Sequence, residues 1–305
     1  MTSSLYQSSS RTMKRYFYNE AEGRLRAGWR IVLFFVALAG IGNALIFGIQ
    51  AIIGGRPAPG LGRDFLMIGT LAVVMTTLLP LGRRFLDKKD AVSLGLRFDG
   101  LAVKDLVFGW LLSGVMAGAF FGILLASGML TIESFAWNTG AFLAPVLGSF
   151  VLYILVGWWE ELFFRGYLFD NLVAGLGMVM AIVVSCVLYG VVHMSNPNAS
   201  LLSGTIIVLF GWLRLYGLLS TKQLWLSMGM HMGWNFFQGP VFGFGASGHE
   251  GFHLIQHTLE GPAWLTGGEF GPEASIVTIG IVLLALGAMR AWSRGVQPHL
   301  RTVDP

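Results

Sequence analysis

With 305 residues, 54% of them hydrophobic and only 12% charged, the chain has too little polar surface to coat a soluble globule. Its mean hydropathy of +0.67 excludes that class, and an all-α, polytopic membrane bundle is expected, because a helix satisfies its own backbone where no water is available. A formal charge of +4 is no nucleic-acid signal: the basic residues gather at the ends of apolar runs, where they set orientation.

Residues 1–28 read as a cytoplasmic tail, Ser-rich and disordered over 1–12 and basic thereafter through Lys14, Arg15, Arg24 and Arg26. About eight runs then approach or exceed the roughly 20 residues that a crossing needs. They lie at 29–53, 64–82, 106–130, 141–169, 174–195, 199–219, 223–240 and 274–293, so that the transmembrane domain spans 29–293. A charged stretch precedes the first run and no small-residue cleavage site follows it, so the first span is expected to be retained.

Gly114, Gly118 and Gly122 line one face of the third span, where small residues let helix backbones approach in lipid. The connection 83–105 carries Arg83, Arg84, Lys88, Lys89, Arg97 and Lys104 and falls on the cytoplasmic side by the positive-inside rule. The tail 294–305, with Arg294 and Arg301, falls on the same side, as an even number of spans requires. Both termini of a multi-pass protein of the cytoplasmic membrane are then inside. The connections 54–63, 131–140 and 241–273 are outside. Cys186 is the single cysteine and sits in an apolar run, so no internal disulfide is available.

The fourth span contains two adjacent glutamates, Glu160 and Glu161. Ionisable groups at bilayer depth are costly enough to mark candidate functional sites. Residues four apart share a helix face while neighbours point about 100° apart, so Glu161 pairs with Arg165 and Glu160 points elsewhere. Held by no cation, Glu160 is the better candidate general base. His193 ends the fifth span, and His231 with Asn235 shares a face of the seventh. Together these residues supply what amide hydrolysis needs, a base for water and donors for the oxyanion. Two histidines and a carboxylate, Glu160, His193 and His231, equally suit a zinc ion with an open water position. Each residue alone has a plainer reading: the histidines as helix-to-helix hydrogen-bonding groups and Glu161 with Arg165 as a structural ion pair.

Glu160-Glu161-x-x-x-Arg165, Tyr189-x-x-x-His193 and His231-x-x-x-Asn235, in that order, resemble the three motifs of the CAAX-protease and bacteriocin-processing (CPBP, or Abi) intramembrane proteases, over about 141–240. Tyr189 departs from the Phe usual there. The resemblance implies that Glu160 activates water with His193, that His231 and Asn235 hold the oxyanion, and that Glu161 and Arg165 support the site. It implies a membrane protein or lipidated, including prenylated, peptide as substrate. The motif leaves the metal open, with a metal-independent route favoured over zinc.

Straight helices with these boundaries place Glu160 and His193 toward opposite faces, too far apart at about 1.5 Å per residue to share a water. A break or late start at Gly175 or Gly177 would relieve this.

A competing site is His249-Glu250-x-x-His253, which fits the zincin pattern of two histidines one helical turn apart around a general base, with His257 and Glu260 nearby. Gly251 costs such a helix about 1 kcal/mol, and no apolar periodicity flanks it. Beyond hydrolysis, two other readings apply, a non-catalytic membrane scaffold or immunity-type protein and, ranked third for want of half-chain symmetry, a transporter.

Overall fold

The computed structural model describes residues 16–296; the expected disorder of 1–12 and most of the 294–305 tail lie outside the described residues. The chain is mostly helical. In order, α1 is Ala27–Ile52, α2 Leu61–Gly82, α3 Gly100–Ala126, α4 Leu143–Glu161, α5 Phe169–Leu176, α6 Met178–His193, α7 Leu201–Thr221, α8 Trp225–Phe236 and α9 Ile276–Val296. Two small antiparallel ribbons accompany them, β1 (Tyr18–Asn19) with β2 (Arg24–Leu25) and β3 (Leu130–Phe135) with β4 (Ile255–Leu259).

Among the described residues six helices, not eight, are long and apolar enough to cross a membrane, α4 and α5 counting as one continuous run. The expected spans 174–195 and 223–240 correspond to α6, 16 residues, and α8, 12 residues. The turn at Gly177 shortens α6, whereas α8 passes without a break into a π segment, Phe237–Val241; apolar composition reveals neither. Large side chains such as Val115, Leu111 and Leu284 stand exposed on the outer faces, as lipid contact requires.

The closest helix contact joins α3 to α8. A Cβ on Gly229 would lie 2.0 Å from the Leu106 carbonyl oxygen, and one on Gly233 2.7 Å from that of Trp110, so these backbones meet directly. The glycine face expected on the third span is only partly used: Gly114 packs on Phe237, whereas Gly122 faces open space.

The two basic segments meet on one face. Arg24 Nη1 donates to the Asp87 carbonyl at 2.6 Å, and Lys88 donates to that of Gly23. Not all of their charges lie at the surface. Asp87 accepts from Arg30 at 2.7 Å and Arg83 at 2.9 Å, all three being buried, and Arg83 reaches Asp170 at 2.6 Å, tying α1, α2 and α5 together. Removing the shared carboxylate strands the buried Arg30 guanidinium and leaves Arg83 only Asp170 as a counter-charge. Asp87→Ala is therefore expected to cost about 3–5 kcal/mol, read as a lower denaturation midpoint in detergent. An unmoved midpoint would deny the network that role.

At the opposite end β3 pairs with β4, Leu130 against Leu259 and Phe135 against Ile255, so the connections 131–140 and 241–273 lie on a common face.

Candidate active site

The run through the glutamate pair does not stop near 169. After Glu161 the helix widens into a π segment, Leu162–Leu168, whose seven residues are all buried, and continues as α5 to Leu176. Such segments often accompany functional sites. The chain reverses at Gly177, whose φ of +79° favours glycine, and α6 starts at once. Glu160 lies 17 residues before that turn and His193 16 after it. The hairpin brings both to similar depth and removes the separation that the shorter span implied.

Glu161 is fully buried. Its Oε1 accepts from Arg165 Nη1 at 3.1 Å and from His231 Nδ1 at 2.8 Å. This pairing, one turn along the helix, is the one the spacing predicts. With Nδ1–H committed to Glu161, the other ring nitrogen of His231 faces Glu160, Nε2 lying 3.8 Å from Oε2. A carboxylate only accepts, so His231 can donate from Nε2 only as imidazolium, whose charge Glu161 would balance. Glu160 is the more open carboxylate, its side chain 13% exposed.

His193 joins less directly. Its Nδ1 lies 2.8 Å from the Tyr189 carbonyl, leaving Nε2 as its second functional atom, and its ring packs 4.5 Å from that of Tyr189. Tyr189 in turn donates its hydroxyl to Glu160 Oε2 at 3.1 Å. Asn235 is buried one turn beyond His231 on α8. The structure thus unites Glu160, Glu161, Arg165 and His231 and links His193 to them through Tyr189.

Two charged residues went unread in the sequence. Arg214, buried on α7, donates to the Tyr189 hydroxyl. The signal was available, since a lone arginine in an apolar span calls for a reason. Glu273 is also buried; it accepts from Trp234 Nε1 at 2.9 Å and from Ser247 Oγ. Asn196 donates to the Ser247 carbonyl at 2.9 Å, so the connection after α8 folds back over the end of α6. Nothing in the linear pattern of that Gly-rich stretch foretells this.

The zincin alternative loses its premise. Residues 249–253 form no helix, so His249 and His253 are not one helical turn apart. Burial pushes the His253 and His257 imidazoles below their usual range, which keeps both neutral near pH 7. Among the described residues no three His, Cys, Asp or Glu side chains are grouped to hold a metal ion. Glu160, His193 and His231 are thus not grouped as a ligand set here, and no step below is routed through a metal.

Residues 141–237, about a third of the chain, match the family described as type II CAAX prenyl endopeptidase Rce1-like. No curated protein matches. The matched stretch begins just before α4 and ends just after α8, and so contains the cluster from Glu160 to Asn235 but not Glu273. It identifies a CPBP-type intramembrane protease domain within the helical membrane protein.

Proposed function

We propose that this chain, a CPBP-type intramembrane protease by its Rce1-like domain, hydrolyses a peptide bond of a membrane-associated protein or peptide, prenylated ones included, with a water activated by Glu160. The observation that carries this is the pair of carboxylates on opposite sides of one imidazole: Glu161 holds Nδ1 of His231 at 2.8 Å, while Nε2 lies 3.8 Å from Glu160. The proposed base and the proposed donor thus face each other.

Glu160, assisted by His193, takes a proton from water as its oxygen bonds to the carbonyl carbon. The oxyanion so formed accepts from His231, as imidazolium, and from Asn235. Collapse breaks the C–N bond, and the proton held on Glu160 passes to the departing amine. Glu161 and Arg165 fix His231. We read α6, and α8 with its π extension to Val241, as crossing segments too, completing eight spans with both termini cytoplasmic.

The test is cleavage of two fluorogenic probes in detergent or nanodiscs, a farnesylated peptide and an unprenylated transmembrane peptide. Wild type is expected to cut at least the farnesylated probe, with or without chelator. His231→Ala and Asn235→Ala are each expected to lose about 10²-fold or more in kcat. Equal rates in wild type and His231→Ala would refute this mechanism; failure of wild type on both probes would favour the scaffold reading.

A further inference from the structure

Glu160 has a counter-charge at second hand. Arg214 donates to the Tyr189 hydroxyl, and that hydroxyl lies 3.1 Å from Glu160 Oε2. Arginine has no acceptor, so the tyrosine oxygen must be the acceptor from Arg214 and must spend its one proton on Glu160. The direction of the relay is thereby fixed.

Every member of the relay is anchored. Tyr189 and Arg214 are both 2% exposed. The Arg165 guanidinium lies over the Tyr189 ring, 4.1 Å from its centroid, and the Arg214 carbonyl accepts from Ser227 Oγ at 2.6 Å, which ties α7 to α8. With His231 uncharged, as before the oxyanion forms, two glutamates balance two arginines, Arg165 on Glu161 and Arg214 on Glu160 through Tyr189. A carboxylate at this depth without such a partner would be costly.

We propose that Tyr189 and Arg214 form a positioning pair for Glu160: they hold Oε2 and its charge, so that Oε1 is the oxygen presented to the water. The pair touches neither substrate nor water and acts through Glu160. Tyr189 organises both halves of the base, since its hydroxyl sets Glu160 while its carbonyl sets the Nδ1 of His193 at 2.8 Å. A phenylalanine in its place keeps the ring between Phe164 and His193 but cuts the relay. This inference rests on Glu160 being the base proposed above, and the experiment separates the two.

Wild type, Tyr189→Phe, Arg214→Gln, their double variant and Glu160→Gln are compared on the farnesylated fluorogenic probe. Tyr189→Phe is expected to lower kcat about tenfold with KM within twofold and the denaturation midpoint kept. Arg214→Gln should lose at least as much. The double variant should be no slower than Arg214→Gln alone, because residues acting in series are not additive. A wild-type kcat in Tyr189→Phe, or multiplying losses in the double variant, overturns the pair. An active Glu160→Gln would instead overturn the proposed mechanism.

A second measurement needs no turnover. The carboxylate infrared band that Glu160→Gln removes should shift in Tyr189→Phe, and an unmoved band refutes the relay on its own.

Discussion

Glu160→Gln is expected to lower kcat by about 10³-fold, within the range that a general base supplies, while the protein folds and binds substrate as before. The two side chains have nearly the same shape. A glutamine oxygen still accepts from Tyr189, so the 3.1 Å contact and the packing around it survive. What disappears is the basic oxygen that takes the water's proton. The loss should therefore appear in kcat and not in KM, since the interaction removed is made only as the transition state forms. The contrasting variant is His249→Ala. Its backbone lies in a non-helical stretch of the connection after α8, and it is expected to keep the wild-type rate. The reverse pattern, an active Glu160→Gln beside a dead His249→Ala, would move the chemistry out of the bundle.

The helical membrane class, the glutamate pair and the partnership of Glu161 with Arg165 were legible because each depends on local spacing and on the cost of charge in lipid. The nearness of Glu160 to His193 was not, because it depends on where a helix stops. Apolar composition places an end near 169, yet the π segment at Leu162–Leu168 carries the chain on to Leu176. Only Gly177, with its positive φ, marks the true reversal. Gly175 and Gly177 were visible as candidates, and the structure uses the second.

The connection of His231 to both glutamates was likewise hidden. One face of α8 was readable from the pair His231 and Asn235, but which helix that face meets is decided by the direct backbone contact of Gly229 and Gly233 with α3 on its other side. Arg214 and the Tyr189 hydroxyl show a different limit. Both are plain in the sequence, yet a tyrosine in place of phenylalanine looks conservative until the arginine that polarises it is seen on a neighbouring helix.

Arg165→Met is expected to destabilise the protein by about 3–5 kcal/mol and to abolish turnover, and the two losses have separable causes. Arg165 is 2% exposed; besides its 3.1 Å contact with Glu161 it donates to the Gly211 carbonyl at 3.4 Å. Methionine fills much of the same space but leaves Glu161 as a buried carboxylate whose remaining described hydrogen bond is to His231. The cost of that stranded charge sets the stability loss. Removing the charge as well, in Arg165→Met with Glu161→Gln, should therefore recover most of the denaturation midpoint measured in detergent. Activity should not return. A neutral amide at 161 no longer balances an imidazolium at His231, so the donor to the oxyanion stays missing even in a stable fold. A double variant that regains both stability and turnover would make Glu161 and Arg165 a purely structural pair; one that regains neither would place the role of Arg165 in its contact with Gly211 and the Tyr189 ring instead.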